Sequence, residues 1–168
     1  DANKKRLVVF AGFPLRFNPA VREIKKLVTE KAVGEILWAL FQSSHFLPDW
    51  RPGQDYRSGY TADKIGGGVI LDIIHEFDLA TFLLGPGTPM ACVARNTGFL
   101  DIETEDCADI IMVHEKGIQS NIHLDYISRP TRRNCVIGGE GGNLCLDLIS
   151  REVKLVGPDG LVLEKKQF

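Results

Sequence analysis

The sequence predicts an α+β domain: a mostly antiparallel open sheet with helices packed on one face. Two helical stretches lie in the first half, and everything after Leu84 reads as short apolar runs broken by turn residues. Strands that follow helices as a block, rather than alternating with them, indicate α+β. The scale agrees, since 168 residues with 44% hydrophobic and 25% charged side chains suit one ordinary globular domain.

The elements follow in order. Leu7-Val8-Val9-Phe10-Ala11-Gly12-Phe13 is nearly continuously apolar, which predicts a strand buried on both faces. It does not suit an antiparallel meander and reads as the last strand of a different, parallel sheet. Asn18 suits an N-cap with Pro19 at N1. The helix it opens runs from about Pro19 to Lys31, with Val21, Ile24, Leu27 and Val28 on one face and Gly34 after its end. Glu35 to Phe46 predicts a strand, and Leu47 to Ile65 an irregular stretch containing Trp50, Tyr56 and Tyr60. Gly66-Gly67-Gly68 opens a second helix, Val69 to Leu84, stopped by Gly85-Pro86-Gly87. Strands are then expected at Met90–Arg95, Ala108–His114, Gln119–Ile127, Asn134–Gly138, Leu144–Leu148, Glu152–Val156 and Leu161–Glu164. Lys116-Gly117 and Pro158-Asp159-Gly160 supply turns.

Composition excludes several classes. Twenty Lys and Arg against 22 Asp and Glu leave a net charge of −2, so no positive field exists to displace counterions from nucleic acid. No apolar run reaches the roughly 20 residues a membrane helix needs, and no leader with a cleavage site is visible. The chain starts on charged residues without Met, so residue 1 is not expected to be the natural start. Cys92, Cys107, Cys135 and Cys145 show no C-x-x-C spacing and are expected as buried free thiols in a reducing compartment, the cytoplasm.

The second helix is the richest in chemistry. At about 100° per residue, Asp72, His75, Glu76 and Asp78 share one arc, with Ile70, Ile73, Ile74, Phe77, Ala80 and Leu84 opposite. Carboxylates around one imidazole suit a general acid/base near neutral pH. They equally suit a solvated face whose acidic groups complement the helix dipole. The triple glycine lets backbone approach a ligand or another chain closely. Asp72, His75 and Glu76 lack a second His cluster to complete a metal site, so no metal is expected.

The loop from His45 to Arg57 is a second candidate. Arg51 and Arg57 offer donor forks, and Trp50 and Tyr56 offer flat faces for a sugar ring, with Asp55 among them. It also suits a surface loop pinned by its aromatics. In the strand around His123, alternation puts Asn121, His123 and Asp125 on one face and Ile122, Leu124 and Tyr126 on the other. That polar face either lines a cleft or is solvated. Arg129, Arg132 and Arg133 read as a solvated turn, and His114 as an exposed one. Gly138-Gly139-Glu140-Gly141-Gly142 lacks both the dinucleotide spacing and a following helix.

Arg16-Phe17-Asn18-Pro19, Gly34-Glu35-Ile36 and Gly66-Gly67-Gly68…Asp72…His75-Glu76-Phe77-Asp78 together resemble the glucose–fructose oxidoreductase/inositol dehydrogenase (Gfo/Idh/MocA) family. The resemblance is to the C-terminal part of such enzymes and covers nearly the whole chain. The Leu47–Arg57 loop is similar to that of members acting on sugars. The resemblance implies an N-terminal Rossmann domain binding NAD or NADP, which holds a Glu-Lys-Pro lysine, and a C-terminal domain giving substrate contacts and the oligomer interface. It also implies proton transfer by a histidine on the glycine-led helix, often with an aspartate before it. His75 matches that histidine and Asp72 the aspartate, although the family spacing is Asp-x-x-x-His and here it is Asp72-Ile73-Ile74-His75; either spacing keeps the pair on one helix face.

This chain shows no Glu-Lys-Pro and no dinucleotide fingerprint. Residues 1–17 are therefore expected to be the last strand of an absent Rossmann domain, and 18–168 a substrate-binding and oligomerisation domain. Trp50, Arg51, Asp55, Tyr56, Arg57 and His123 are expected at the sugar-type substrate, with Arg16 toward the cofactor. The piece alone is expected to bind no cofactor, to be inactive, and to form homo-oligomers through its sheet face. The alternative is a non-catalytic ligand-binding or dimerisation module of the same fold.

Overall fold

A computed structural model describes residues 4–168. Asp1, Ala2 and Asn3, part of the expected 1–17 segment, lie outside the described residues.

Helix α1 (Pro19–Thr29) starts as expected: the Asn18 side chain accepts from the backbone N–H groups of Ala20 and Val21, with Pro19 in the first turn. It buries Ala20, Val21, Ile24 and Leu27, a spacing that gives one apolar stripe. Strand β1 (Ile36–Phe46) follows, then three short helices or helical pieces: α2 (Leu47–Trp50), α3 (Val69–Asp72) and α4 (His75–Leu84). The remaining strands are β2 (Gly87–Arg95), β3 (Cys107–His114), β4 (Gln119–Asp125), β5 (Ile127–Gly139), β6 (Gly142–Asp147), β7 (Glu152–Val156) and β8 (Val162–Gln167).

All eight form one sheet, ordered β2-β3-β4-β1-β5-β6-β7-β8. Only β1 and β4 run parallel; every other neighbouring pair is antiparallel. The helices cover one face. Ala39, Phe41, Ile110, Ile122, Leu124, Ile137 and Leu144 point into them and form the core with α1 and α4. The other face is open, and along β1 it carries Trp38, Leu40 and Gln42.

Several expectations change. Leu7–Phe13 lies in neither helix nor strand, and Val8 is 95% exposed. An apolar run needs neighbouring strands to satisfy its backbone, and among the described residues none pairs with it. The second helix is broken: at Ile73, φ −99° and ψ 35° leave the helical region, so α3 and α4 are separate. Arg129, Arg132 and Arg133 belong to strand β5, not to a turn. His114 is buried, its ring nitrogens 2.9 Å from Gly85 O and 2.8 Å from Ser120 Oγ. Only Cys135 of the four cysteines is fully buried; Cys92 lies on the uncovered edge strand β2, and Cys107 and Cys145 face the open side.

Candidate functional site

The glycines before α3 pack against the chain itself. A Cβ at Gly67 would meet the carbonyl oxygens of Tyr60, Thr61 and Asp63 at 2.5–2.6 Å. Gly68 has φ +92°, and its Cβ would press on the Glu105 carboxylate. Close approach is therefore required here, by the preceding loop and by Glu105, and it fixes where α3 begins.

Asp72 ends α3. Its Oδ2 accepts a 2.7 Å hydrogen bond from Tyr126, a fully buried residue just past β4. Tyr60 also lies beside Asp72, and Arg51 Nη2 approaches Tyr60 Oη at 3.4 Å. Asp72, then burial, raises the Tyr60 pKa; for Tyr126 burial comes first and Asp72 second. Both phenols stay protonated donors.

The kink after Asp72 resets the helical phase, which is why the expected arc does not exist as one face. Glu76 is 1% exposed, and Arg133 of β5 grips it through Nε at 2.7 Å and Nη2 at 3.0 Å. Burial raises the Glu76 pKa, and Arg133 opposes this. Asp78 is also buried, holding Arg16 Nε at 3.0 Å. The Arg16 guanidinium lies over the Phe82 ring at 5.5 Å. The carboxylates near His75 thus each have a separate partner: Asp72 the Tyr126 phenol, Glu76 Arg133, and Asp78 Arg16. Arg16, expected toward a cofactor, is committed to Asp78.

A cavity of about 320 Å³ opens on the helix side at the end of β1. Ser43 and His45 of β1, Asp49 and Trp50 of α2, Asp72, His75, and Thr131 to Arg133 of β5 line it, among others. The His45 ring is 4.5 Å from Trp50 and 5.7 Å from Tyr126, making one aromatic wall. Burial lowers the His45 pKa, which keeps the ring neutral. The His75 ring meets Phe13 edge-on at 6.2 Å. Among the described residues, His45 Nε2 and His75 Nδ1 are the buried side-chain polar atoms without a hydrogen-bond partner.

The structure therefore brings Asp72, His75 and Trp50 together. Arg51, Asp55 and Tyr56 line a smaller adjoining cleft that Trp50 shares. Arg57 is exposed and turned to Asp55 and Asp101. His123 stands on the open sheet face, away from the cavity, between Asp109 and Asp125. His45 opened the candidate loop without being singled out as a site residue, and Arg133 was read as part of a solvated turn; both line the cavity. The signal for His45 was the alternation Ala39, Phe41, Ser43, His45, which puts it on the face of β1 that carries the core. Nothing in local sequence marked Arg133, whose partner lies 57 positions away. Asp72, His45 and His75 present hydrogen-bonding groups to one cavity, an arrangement suited to hydroxyl groups.

Comparison with known proteins bears on the family and the fold. A family model described as the GFO/IDH/MocA C-terminal domain matches residues 21–145. The chain is 28% identical over 130 residues to a D-apiose dehydrogenase of Paraburkholderia graminis, covering 73% of the chain and 32% of the relative. It is 26% identical over 164 residues to a D-apiose dehydrogenase of Rhizobium rhizogenes, covering 94% and 44%. The chain thus spans less than half the length of these curated relatives. An inositol dehydrogenase homolog from Azotobacter vinelandii, solved with NAD+, superposes with a TM-score of 0.80 at 16% identity over 99% of this chain and 45% of that one. A levoglucosan dehydrogenase solved with NADH and levoglucosan gives 0.80 at 18% identity, over 96% and 47%.

Proposed function

Because the chain belongs to the GFO/IDH/MocA family through that family's C-terminal domain, we propose that it is the substrate-binding part of an NAD- or NADP-dependent oxidoreductase acting on a sugar or sugar derivative. One observation carries the reading: two histidines line one cavity, each with a buried ring nitrogen that no group among the described residues satisfies. An unmade hydrogen bond at a buried polar atom costs about 1–3 kcal/mol, and a hydroxyl-rich ligand removes that cost. Relatives named for D-apiose, and folds solved with levoglucosan or myo-inositol beside NADH, support a sugar-type ligand.

Trp50 and His45 give the flat wall on which the apolar face of a sugar ring rests. Asp72, held by the Tyr126 phenol, accepts a substrate hydroxyl. His75 takes the hydroxyl proton at Nδ1 as the carbinol carbon is oxidised. Arg51, Asp55 and Tyr56 contact the substrate from the adjoining cleft.

The described residues do not fit a nicotinamide dinucleotide site of their own. Gly138–Gly142 spans the β5–β6 hairpin, and Arg16 is taken by Asp78. Hydride chemistry belongs to a cofactor held by a Rossmann domain outside this chain, and residues 1–17 are read as the edge of that domain. The exposed Trp38, Leu40 and Ile111 on the open face support homo-oligomers through the sheet. No helix among the described residues is long and apolar enough to cross a membrane. All four cysteines are free, which supports a reducing compartment such as the cytoplasm.

The test is steady-state kinetics of the full-length enzyme with NAD(P) and a panel of aldoses and polyols. His75→Ala is expected to lower kcat about 10²–10⁴-fold, the usual worth of a positioned acid/base. An unchanged kcat overturns the role of His75, and no turnover of any sugar by the wild-type enzyme overturns the substrate class.

A further inference from the structure

We propose that Cys107, Asp109 and His123 form a zinc-type divalent metal site on the open sheet face, with Asp125 anchoring the histidine. This departs from the sequence expectation of no metal. It is also independent of the cavity, which lies on the other side of the sheet.

The register builds the site. On antiparallel β3 and β4, Cys107 pairs with Asp125 and Asp109 with His123. Within each strand the two residues are two apart, so all four side chains stand on one face. One donor atom each from Cys107, Asp109 and His123 lies within 4.8 Å of the others. Donors around a tetrahedral zinc sit about 3.5 Å apart, given metal–ligand bonds of about 2.0–2.3 Å. Small side-chain rotations therefore suffice to close the set. Thiolate, imidazole and carboxylate are the donors zinc takes, and three protein ligands leave a fourth position to water.

Asp125 supplies what a bare cluster lacks. Its side chain is 2% exposed. Oδ1 accepts from the backbone N–H groups of Ile127 at 3.0 Å and Ser128 at 2.7 Å, and Oδ2 from the Ser128 hydroxyl at 2.9 Å. This fixed carboxylate meets His123 Nε2 at 3.1 Å, while Nδ1 faces Asp109 Oδ1 at 2.7 Å. Anchoring Nε2–H on a buried carboxylate orients the ring and leaves Nδ1 to the ion, the usual outer-sphere arrangement of metal-bound histidine. Burial, then the charges of Asp109 and Asp125, raise the Cys107 pKa, and Arg95, opposite it on β2, opposes them, so the metal-free residue is a thiol. In the single chain Asp109 is exposed and Cys107 and His123 are half-buried, so an ion reaches the donors from solvent before copies of the chain pair through this face. On binding, the Cys107 thiol proton and the proton between His123 and Asp109 leave to water, and bonds from sulfur, nitrogen and oxygen to the metal replace them.

The experiment is titration of the chelator-stripped chain with Co²⁺, then displacement by Zn²⁺. The expected result is one equivalent bound, with a thiolate-to-cobalt charge-transfer band and the strong visible bands of a tetrahedral centre. Cys107→Ser should abolish the charge-transfer band, and Asp109→Asn and His123→Gln should weaken binding. Cys92→Ser, at an exposed cysteine whose side chain is on the other face of β2 from the cluster, should change nothing. Asp125→Asn, checked as folded by circular dichroism, should weaken zinc affinity about 10–100-fold. No charge-transfer band at stoichiometric cobalt, or a band that survives Cys107→Ser, overturns the site. Unchanged affinity in folded Asp125→Asn overturns the anchoring role. Neither result touches the reading of His75.

Discussion

The Tyr126 hydroxyl stands 2.7 Å from Asp72 Oδ2, tying the end of β4 to the last residue of α3. Tyr126 is completely buried, so its ring is core while its oxygen reaches the cavity wall. The bond holds Asp72 just ahead of the kink that turns α4 away. Tyr126→Phe keeps the ring and deletes the donor. A hydrogen bond to a charged group is worth about 1.5–3 kcal/mol, and a loss of that size is expected in urea denaturation of the chain. Wild-type stability in the variant would mean that the bond contributes nothing in solution.

The Glu76–Arg133 pair gives a sharper test because Glu76 is sealed in. Removing one partner of a buried pair costs about 3–5 kcal/mol, which is the expectation for Arg133→Met. Burial already holds the Glu76 pKa above its ordinary value, and without Arg133 only the smaller influence of His75 opposes burial. The protonated form then fits the fold. Relative stability of the variant is therefore greatest below the unfolded carboxylate pKa, about 4.3, and falls as pH rises through the folded value. The gap to wild type should widen from pH 4 to pH 7. An equal gap at both would show that packing, not charge, is responsible.

Sheet and helix were legible where a local pattern sufficed. Asn18-Pro19 marked the start of α1, and apolar alternation marked the strands, because caps and periodicity are properties of a few neighbouring residues. The helix after Gly68 was legible only up to Asp72. Its break depends on Tyr126 and Glu105 gripping the first turn, contacts that span 54 and 35 positions. The same reason hid the site's electrostatics. Asp72, Glu76 and Asp78 looked like one acidic face because their partners Tyr126, Arg133 and Arg16 come from elsewhere in the chain. His75, Asp72 and Trp50 were found as cavity residues because their residue types are unusual in place, whereas His45 looked like the end of a strand.

The glycine pair before α3 separates two kinds of requirement. Gly68→Ala forces a side chain onto a backbone at φ +92°, and the Glu105 carboxylate it meets can swing aside. The expected cost is about 1–3 kcal/mol, the usual strain of such a conformation. Gly67→Ala instead drives a methyl group into three main-chain carbonyls that cannot move independently. Gly67→Ala should be the more damaging in thermal denaturation. The reverse order would show that the loop before α3 is looser than these contacts require.

His123 offers a pH test separate from metal binding. Hydrogen bonding to Asp125, opposed by partial burial and reinforced by Asp109, raises its pKa to about 9. The charged imidazole therefore belongs to the folded state. Its contribution is fully present below the unfolded value near 6.5, and it is lost as pH rises through 9. The metal-free chain should weaken across that window, and His123→Gln should flatten the slope. The side chain is 32% exposed, so solvent screening limits the change to about 1 kcal/mol. Proton NMR of the ring gives the direct reading: a midpoint near 9 is expected, and one near 6.5 would mean that the two carboxylates do not hold it.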